Sequence, residues 1–266
     1  MSPASPRPFR FALPPSLGAV LTQAAGPLLK GYLSAALAKP VEVDVSPSYE
    51  ALAKTILAGR ADAAWAPPFV CARVEAMGVR VLVRGVRHGA SSYRAALLCR
   101  SAAKLSLDGL AGKSAAWVDR DSIAGYLLPV AYLRGRGLDP AKLFFAQQFT
   151  GSYRVALESV LDGKADVTSI FAPPDADESS SVEEILPGRA KELHALAFTD
   201  SVPNDGVVVS MSALPELTAA LEKTMLSLHE SGEGRSVLEQ GFHVERFEPA
   251  PRLGYRALYR VALASL

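Results

Sequence analysis

Residues 117–129 read WVDRDSIAGYLLP, and one hydroxyl in that stretch stands where an anion site needs one. A strand-like run over 114–118 stops at Asp119, Arg120 and Asp121, and an apolar helical pattern begins at Ile123, directly after Ser122. Ser before a helix caps it by accepting a bond from a free backbone N–H. The same amides, backed by the helix dipole, also hold anions. The stretch by itself leaves both readings open. Two further Ser-Tyr pairs, Ser48-Tyr49 and Ser152-Tyr153, stand at the start of helical patterns and offer hydroxyls of the same kind.

Strands and helices alternate around these residues. Residues 9–13 read as a strand ending at Pro14-Pro15, with Ser16 as the N-cap of a helix carrying Leu17, Val20, Leu21, Ala24 and Leu28 on one face. Pro27 is expected to kink or break that helix. Strands are expected at 41–45, 61–65 and 79–83, with a helix marked by Tyr49, Leu52, Ala53, Ile56 and Leu57 that ends at Gly59. The pattern predicts an α/β fold with a mainly parallel sheet.

An internal repeat organises the chain. SYEALAKTILAGRAD at 48–62 matches SYRVALESVLDGKAD at 152–166, with Ser, Tyr, Leu, Gly, Ala and Asp in common. Each copy is a helix, a Gly at its C-terminus, a basic residue and a short strand. The preferred reading is two similar lobes with one copy in each, and a ligand is then expected in the cleft between the lobes, near the carboxyl ends of the strands. Tyr49, Ser152 and Tyr153 then lie near that ligand. Trp65 ends a strand before Ala66-Pro67-Pro68, where lining the cleft and packing in a core are both open.

Composition excludes several classes. A net charge of +1 gives no electrostatic case for nucleic acid, and no run of about 18 apolar residues argues for membrane insertion. Cys71 and Cys99 are too few for a disulfide framework and read as buried thiols. His88, His194, His229 and His243 have no metal or triad spacing, GxSxG is absent, and residues 175–184, DADESSSVEE, read as a solvated loop. Neither a cofactor nor a metal is expected.

Six segments in order then carry a family resemblance: YEALAKTILAGRADAAWAPP, SYRAALLCR, LDGLAGKSAAWVDRDSIAGYLLP, FTGSYRVALESVLDGKADV, VPNDGVVVS and LPELTAALEKTMLSLHES. Together they resemble the phosphate, phosphite and phosphonate substrate-binding proteins of ABC transporters over nearly the whole chain. The resemblance implies a two-lobed type II periplasmic-binding-protein fold, with two crossover strands near 93–100 and 198–209 forming a hinge. Lobe one is expected to hold 1–96 and 206–266 and lobe two 97–205. It also implies that Ser122 supplies a hydroxyl, that Ile123 and Ala124 supply amides, and that Tyr93 and Asp205 face the ligand.

The departures bear on the ligand. Members of the family resembled carry Thr where Ile123 stands, His where Tyr153 stands, and, in aminophosphonate binders, an acid in the region of residues 170–174. A phosphate monoester, a carboxylate or a neutral polar ligand therefore competes with a doubly charged phosphonate. The implied partners are a small anionic or polar ligand and an ABC permease. The family resembled is periplasmic, while the first residues of this chain lack a signal-peptide pattern, which reads as a cytoplasmic or leader-trimmed chain. The alternatives are an enzyme on the same fold, similar to chorismate dehydratase, or a cytoplasmic ligand sensor.

Overall fold

The computed structural model describes residues 7–15, 18–120 and 122–259. Ser16 and Leu17, expected to open the first helix, lie outside the described residues. The chain forms β1 (Phe9–Leu13), α1 (Gly18–Ala36), β2 (Val41–Val45), α2 (Tyr49–Leu57), β3 (Ala63–Ala66), α3 (Pro68–Glu75) and β4 (Arg80–Val86). It continues with β5 (Ser92–Arg100), β6 (Ser114–Trp117), a wide π-type turn (Ile123–Leu127) leading into α4 (Leu128–Gly135), α5 (Pro140–Leu143) and β7 (Ala146–Phe149). Then come α6 (Tyr153–Leu161), β8 (Val167–Ala172), α7 (Ser179–Ile185), β9 (Leu193–Phe198) and β10 (Val202–Pro203). The last elements are β11 (Gly206–Val209), α8 (Pro215–Ser227), α9 (Gly232–Val237) and β12 (Arg246–Pro249).

The chain divides into two compact units. One holds the residues up to Ser91 and those from Pro203 onward; the other is Ser92–Val202. Both divisions fall a few residues before the sequence-based limits of 96 and 205. Pairing explains the shift. Strand β5 is in register with β8 from Arg94 to Cys99, and the Asn204 amide instead bonds the Ser91 carbonyl in the first unit.

The first unit is built on a sheet of order β12-β4-β11-β3-β1-β2. Strands β2, β1 and β3 run parallel, and β11 lies antiparallel between β3 and β4. All four residues of β3 are buried, as expected of a strand covered on both faces. Its core joins Phe9, Phe11 and Leu13 to Leu29 and Leu33 of α1, Leu221 and Met225 of α8, and Phe242. Helix α1 runs on through Pro27, so the expected break does not occur; the ring stands on the exposed side.

In the second unit the sheet order is β10-β5-β8-β6-β7, with β9 also paired to β5. Strand β6 is parallel to β7 and β8, and β5 is antiparallel to β8 and β9. Trp117 anchors one core, meeting Phe144 and Tyr126 edge-on at centroid distances of 5.8 and 5.7 Å. Leu157, Val160, Ile170 and Val182 form another. The expected loop at 175–184 contains α7 instead. Its acidic and Ser-rich face is exposed, but Val182 is buried and the buried Glu178 accepts from the Ala195 amide at 3.0 Å, which fixes the segment on the sheet.

The repeat is structural, with one copy in each unit. Ser48 caps α2 and Ser152 caps α6 from nearly the same backbone conformation, φ −155° and −154°. Gly59 and Gly163 end the helices at φ 65° and 74°, in the left-handed region that favours Gly. The shared Asp then ties its strand to the parallel strand beside it in the sheet, β3 to β1 and β8 to β6. Asp62 Oδ2 accepts from the Arg10 amide at 2.8 Å, and Asp166 Oδ2 accepts from the Ser114 amide at 2.8 Å.

Candidate functional site

Parallel strands that feed helices bring helix N-termini to their carboxyl ends, where open α/β sheets bind ligands. In the second unit two such ends are neighbours, because β6 and β7 are paired in register from Ser114–Ala146 to Trp117–Phe149. The following loops are tied as well. The Thr150 amide donates to Trp117 O at 2.9 Å and the Gly151 amide to Val118 O at 2.8 Å, with Gly151 at φ 83°. The Thr150 hydroxyl lies 3.1 Å from both Trp117 O and Ser152 O. The two helices that follow therefore start side by side.

Ser122 opens the first of them. Its Oγ accepts from the Gly125 amide at 3.2 Å, so it is a helix cap. Accepting that bond leaves the Ser122 proton available to donate. The Ser122 Oγ also lies 3.5 Å from the Tyr153 hydroxyl, which belongs to the first turn of α6. Ile123 and Ala124 head the turn, Ile123 half-buried and Ala124 buried. Ser169, buried on β8, has its hydroxyl 2.7 Å from the Ala124 carbonyl and so pins the turn to the sheet.

Gly125 carries a role that the sequence analysis missed. A Cβ there would lie 2.5 Å from Val118 Cγ2 and 2.6 Å from Ser122 Oγ. Only Gly lets the helix approach β6 closely enough for the Val118 amide to reach Gly125 O at 3.3 Å. The readable signal was a Gly in the first turn of an otherwise apolar helical run.

Aromatic side chains frame the same end of the sheet. The Tyr153 ring meets Phe171 edge-on at 5.4 Å, near the end of β8, and Phe149 ends β7 with the Arg120 guanidinium 4.6 Å above its ring. Tyr93 directly precedes Arg94, whose register partner is Ala172, the last residue of β8, so it stands at this end too. Arg94 itself donates to the carbonyls of Pro173 at 3.1 Å and Ala176 at 2.8 Å, holding the chain that leaves β8. Ser122, Ile123, Ala124, Ser152, Tyr153 and Tyr93 thus share one end of one unit. Ser152 is also a cap, its Oγ accepting from the Val155 amide at 3.3 Å.

The remaining expected contacts belong to the other unit. Tyr49 is half-buried in the first turn of α2, behind the Ser48 cap, whose Oγ accepts from the Ala51 amide at 3.0 Å. Asp205 is an ion-pair partner, with its Oδ2 2.6 Å from an Arg87 nitrogen. Trp65 is a core residue and not a cleft residue. It is 2% exposed and packs edge-on against Phe242 at 5.3 Å and Phe247 at 5.5 Å. The cause is its place on β3, where the sheet is covered on both faces and the α9–β12 segment adds two aromatic rings.

Other candidate chemistry is closed off. Burial pushes the Cys71 thiol well above its ordinary value, and Cys71 Sγ donates to Ala66 O at 3.2 Å. Burial also raises Cys99. Among the described residues no group of His, Cys, Asp or Glu has the arrangement of a metal site, and no helix is long and apolar enough to cross a membrane.

Comparison with known proteins agrees with this architecture. Residues 11–253 match the family described as "ABC transporter, phosphonate, periplasmic substrate-binding protein". Among solved structures, a Xanthomonas citri protein bound to ATP is similar, with a TM-score of 0.79, 18% identity, and coverage of 97% of this chain and 96% of that one. A binding protein component of an ABC phosphonate transporter from Pseudomonas aeruginosa gives a TM-score of 0.71, 18% identity, and coverage of 97% and 86%. PhnD1 of Prochlorococcus marinus in complex with methylphosphonate gives 0.74, 16% identity, and coverage of 97% and 98%.

Proposed function

Because the chain belongs to the phosphonate-type periplasmic substrate-binding family of ABC transporters, we propose that it binds a small phosphoryl-type anion at the paired helix N-termini of Ser122 and Tyr153. The observation that carries this reading is the 3.5 Å separation of their hydroxyl oxygens, which come from two neighbouring helix starts. Two hydroxyls and two helix dipoles converge on one point. Charge-assisted hydrogen bonds there contribute about 1.5–3 kcal/mol each. The fold is the two-lobed one of the solved neighbours, and the family acts with an ABC permease. The enzyme alternative draws no support from the comparisons.

The favoured ligand is a phosphoryl compound held by contacts beyond its terminal oxygens, such as a phosphate ester, in preference to methylphosphonate. Ile123 supplies no hydroxyl at the second position of the turn, and the phenol of Tyr153 carries no positive charge. That one structural neighbour is bound to ATP and another to methylphosphonate supports a phosphoryl group as the shared element. Calorimetry with ATP, a simple phosphate monoester, inorganic phosphate, phosphite, methylphosphonate and acetate tests the proposal. The expected result is saturable binding of at least one phosphoryl compound and weaker binding of acetate. Absence of binding across the panel, or tighter binding of acetate, overturns it.

A further inference from the structure

Among the described residues, the sheet edges carry devices that keep another strand from adding to them, with β7 as the exception. In the first unit the edges are β2 and β12. Glu42 and Asp44 are exposed on β2, and two copies of that strand paired about Val43 would set Glu42 opposite Asp44, a like-charge pair. Strand β12 ends in Pro249, which has no N–H to offer. In the second unit β10 is two residues long and ends in Pro203. Strand β9 is sealed from the side, because the Ala195 amide donates to Oε1 of the buried Glu178 at 3.0 Å.

Strand β7 is the other edge of the second sheet and has none of these devices. Residues 144–149 read FFAQQF, without a charge, a Pro or a Gly. One side of the strand pairs with β6, so alternate backbone amides and carbonyls face outward. Ala146, Gln147 and Gln148 are exposed, and Phe145, directly before the strand, is 88% exposed. That ring is held in place. Its neighbour Phe144 is buried against Trp117, and the Phe145 amide donates to Lys113 O at 2.8 Å. Gln147 is fixed too, accepting from Trp117 Nε1 at 2.8 Å and donating to Pro140 O at 3.1 Å.

We propose that β7 is the docking edge for a second copy of this chain, joined as an antiparallel β7–β7 pair about a two-fold axis at Gln147. The strand is its own complement. In this register Phe145 of each copy stands opposite Phe149 of the other, an aromatic cross-strand pair, and Gln148 stands opposite Ala146, a long side chain against a short one. Phe145, Gln147 and Phe149 share one face by the two-residue period of a strand. Phe149 is already braced there by Tyr126 at a centroid distance of 5.0 Å. No like charges meet along the strand, in contrast with β2. The contact is the same patch on both copies, so assembly closes at two. A pair of four-residue strands with their Phe rings falls at the low end of interface sizes, below about 1,200 Å² in total. The dimer is therefore reversible, with a dissociation constant above about 1 μM. The proposal rests on strand edges and is independent of the ligand, so it stands or falls apart from the proposed function.

Sedimentation velocity of the full chain from about 1 μM to about 1 mM reads the association. A concentration-dependent equilibrium of monomer and dimer is expected. Phe145→Glu is expected to weaken it at least about tenfold with the melting temperature unchanged, since the side chain it alters is exposed. If Phe145→Glu does not fold, Phe145→Ser removes the ring without adding charge and is read in the same way. A chain that stays monomeric across the range overturns the proposal, and so does a dimer that the substitution leaves unchanged. Cross-linking reads the register, because Cys71 and Cys99 are buried. Under mild oxidation, Ala146→Cys mixed with Gln148→Cys is expected to form the mixed disulfide about tenfold faster than either variant cross-links to itself. Equal rates overturn the strand pairing even where Phe145→Glu abolishes the dimer, because that is what an exposed ring packing on another surface would give.

Discussion

The Ser122 hydroxyl oxygen lies 3.5 Å from the Tyr153 hydroxyl oxygen, although the two residues are separated in the chain by two helices and a strand. Ser122 is at once a cap, through Gly125, and a hydroxyl facing that of its neighbour. The two roles separate by substitution. Gly at an N-cap costs only a few tenths of a kcal/mol, whereas a lost ligand bond in a dry site costs more. Ser122→Gly is therefore expected to leave the melting temperature nearly unchanged and to weaken the tightest-bound phosphoryl compound of the panel about tenfold. An unchanged dissociation constant, measured by calorimetry beside a lowered melting temperature, would reduce Ser122 to a cap.

Methylphosphonate is expected to bind the native chain with a dissociation constant above about 1 μM, since one hydroxyl and one charge are missing from the turn. Ile123→Thr together with Tyr153→His restores both and is expected to tighten it about tenfold or more. The His substitution gives up the Phe171 ring contact, so Ile123→Thr alone is the cleaner measurement. Sub-micromolar methylphosphonate binding by the unaltered protein would contradict this view.

Asp166 makes stability depend on pH. Burial raises its pKa, but bonds from the Ser114 amide and hydroxyl, both 2.8 Å, outweigh burial, and the carboxyl is held below its ordinary value. The sign follows from linkage. The folded state binds this proton less readily than the unfolded state, so the contribution is complete above about pH 4, the ordinary Asp value, and is lost as pH falls through the lowered folded value. Asp166→Asn is expected to unfold at lower denaturant concentration at pH 7, with the difference from the native chain shrinking below about pH 4. A difference that stays constant down to pH 2.5, about the lowest practical value, would remove Asp166 from the account.

Trp65 and Gly85 test the reassignment of the tryptophan. A Cβ at Gly85 would stand 2.5 Å from Val244 Cγ1 and 3.2 Å from the Trp65 ring. Gly85→Ala is expected to cost about 1–3 kcal/mol by overpacking, and Trp65→Phe to cost stability through a cavity. Equilibrium urea unfolding measures both. A Trp65→Phe protein of native stability that binds its ligand differently would return the residue to the site.

The Cys71 thiol is fully buried, and burial raises its pKa. The thiolate is the reactive form, so Cys71 is expected to resist iodoacetamide in the native protein at pH 8 and to react fully in denaturant. Peptide mass spectrometry distinguishes the two, and rapid native alkylation at Cys71 would show that α3 opens on its own.

The sequence alone determined the local chemistry. Ser48 and Ser152 were readable as residues at helix starts, Gly59 and Gly163 as helix ends, and the repeat as two helix–strand units, because each depends on residues close together in the chain. The segment order was enough to point to the fold. Tertiary structure decided whatever depends on what lies across the sheet. It placed Trp65 among Phe242 and Phe247, gave Asp205 to Arg87, and made α7 from a polar segment by burying Val182 and Glu178. It also revealed Gly125, whose need arises from Val118, and brought Ser122 to Tyr153 through the pairing of β6 with β7. Side-chain type and spacing report what a residue is able to do. Which partner it meets is fixed by strand pairing and burial over long separations, and that information is carried by no single stretch of the chain.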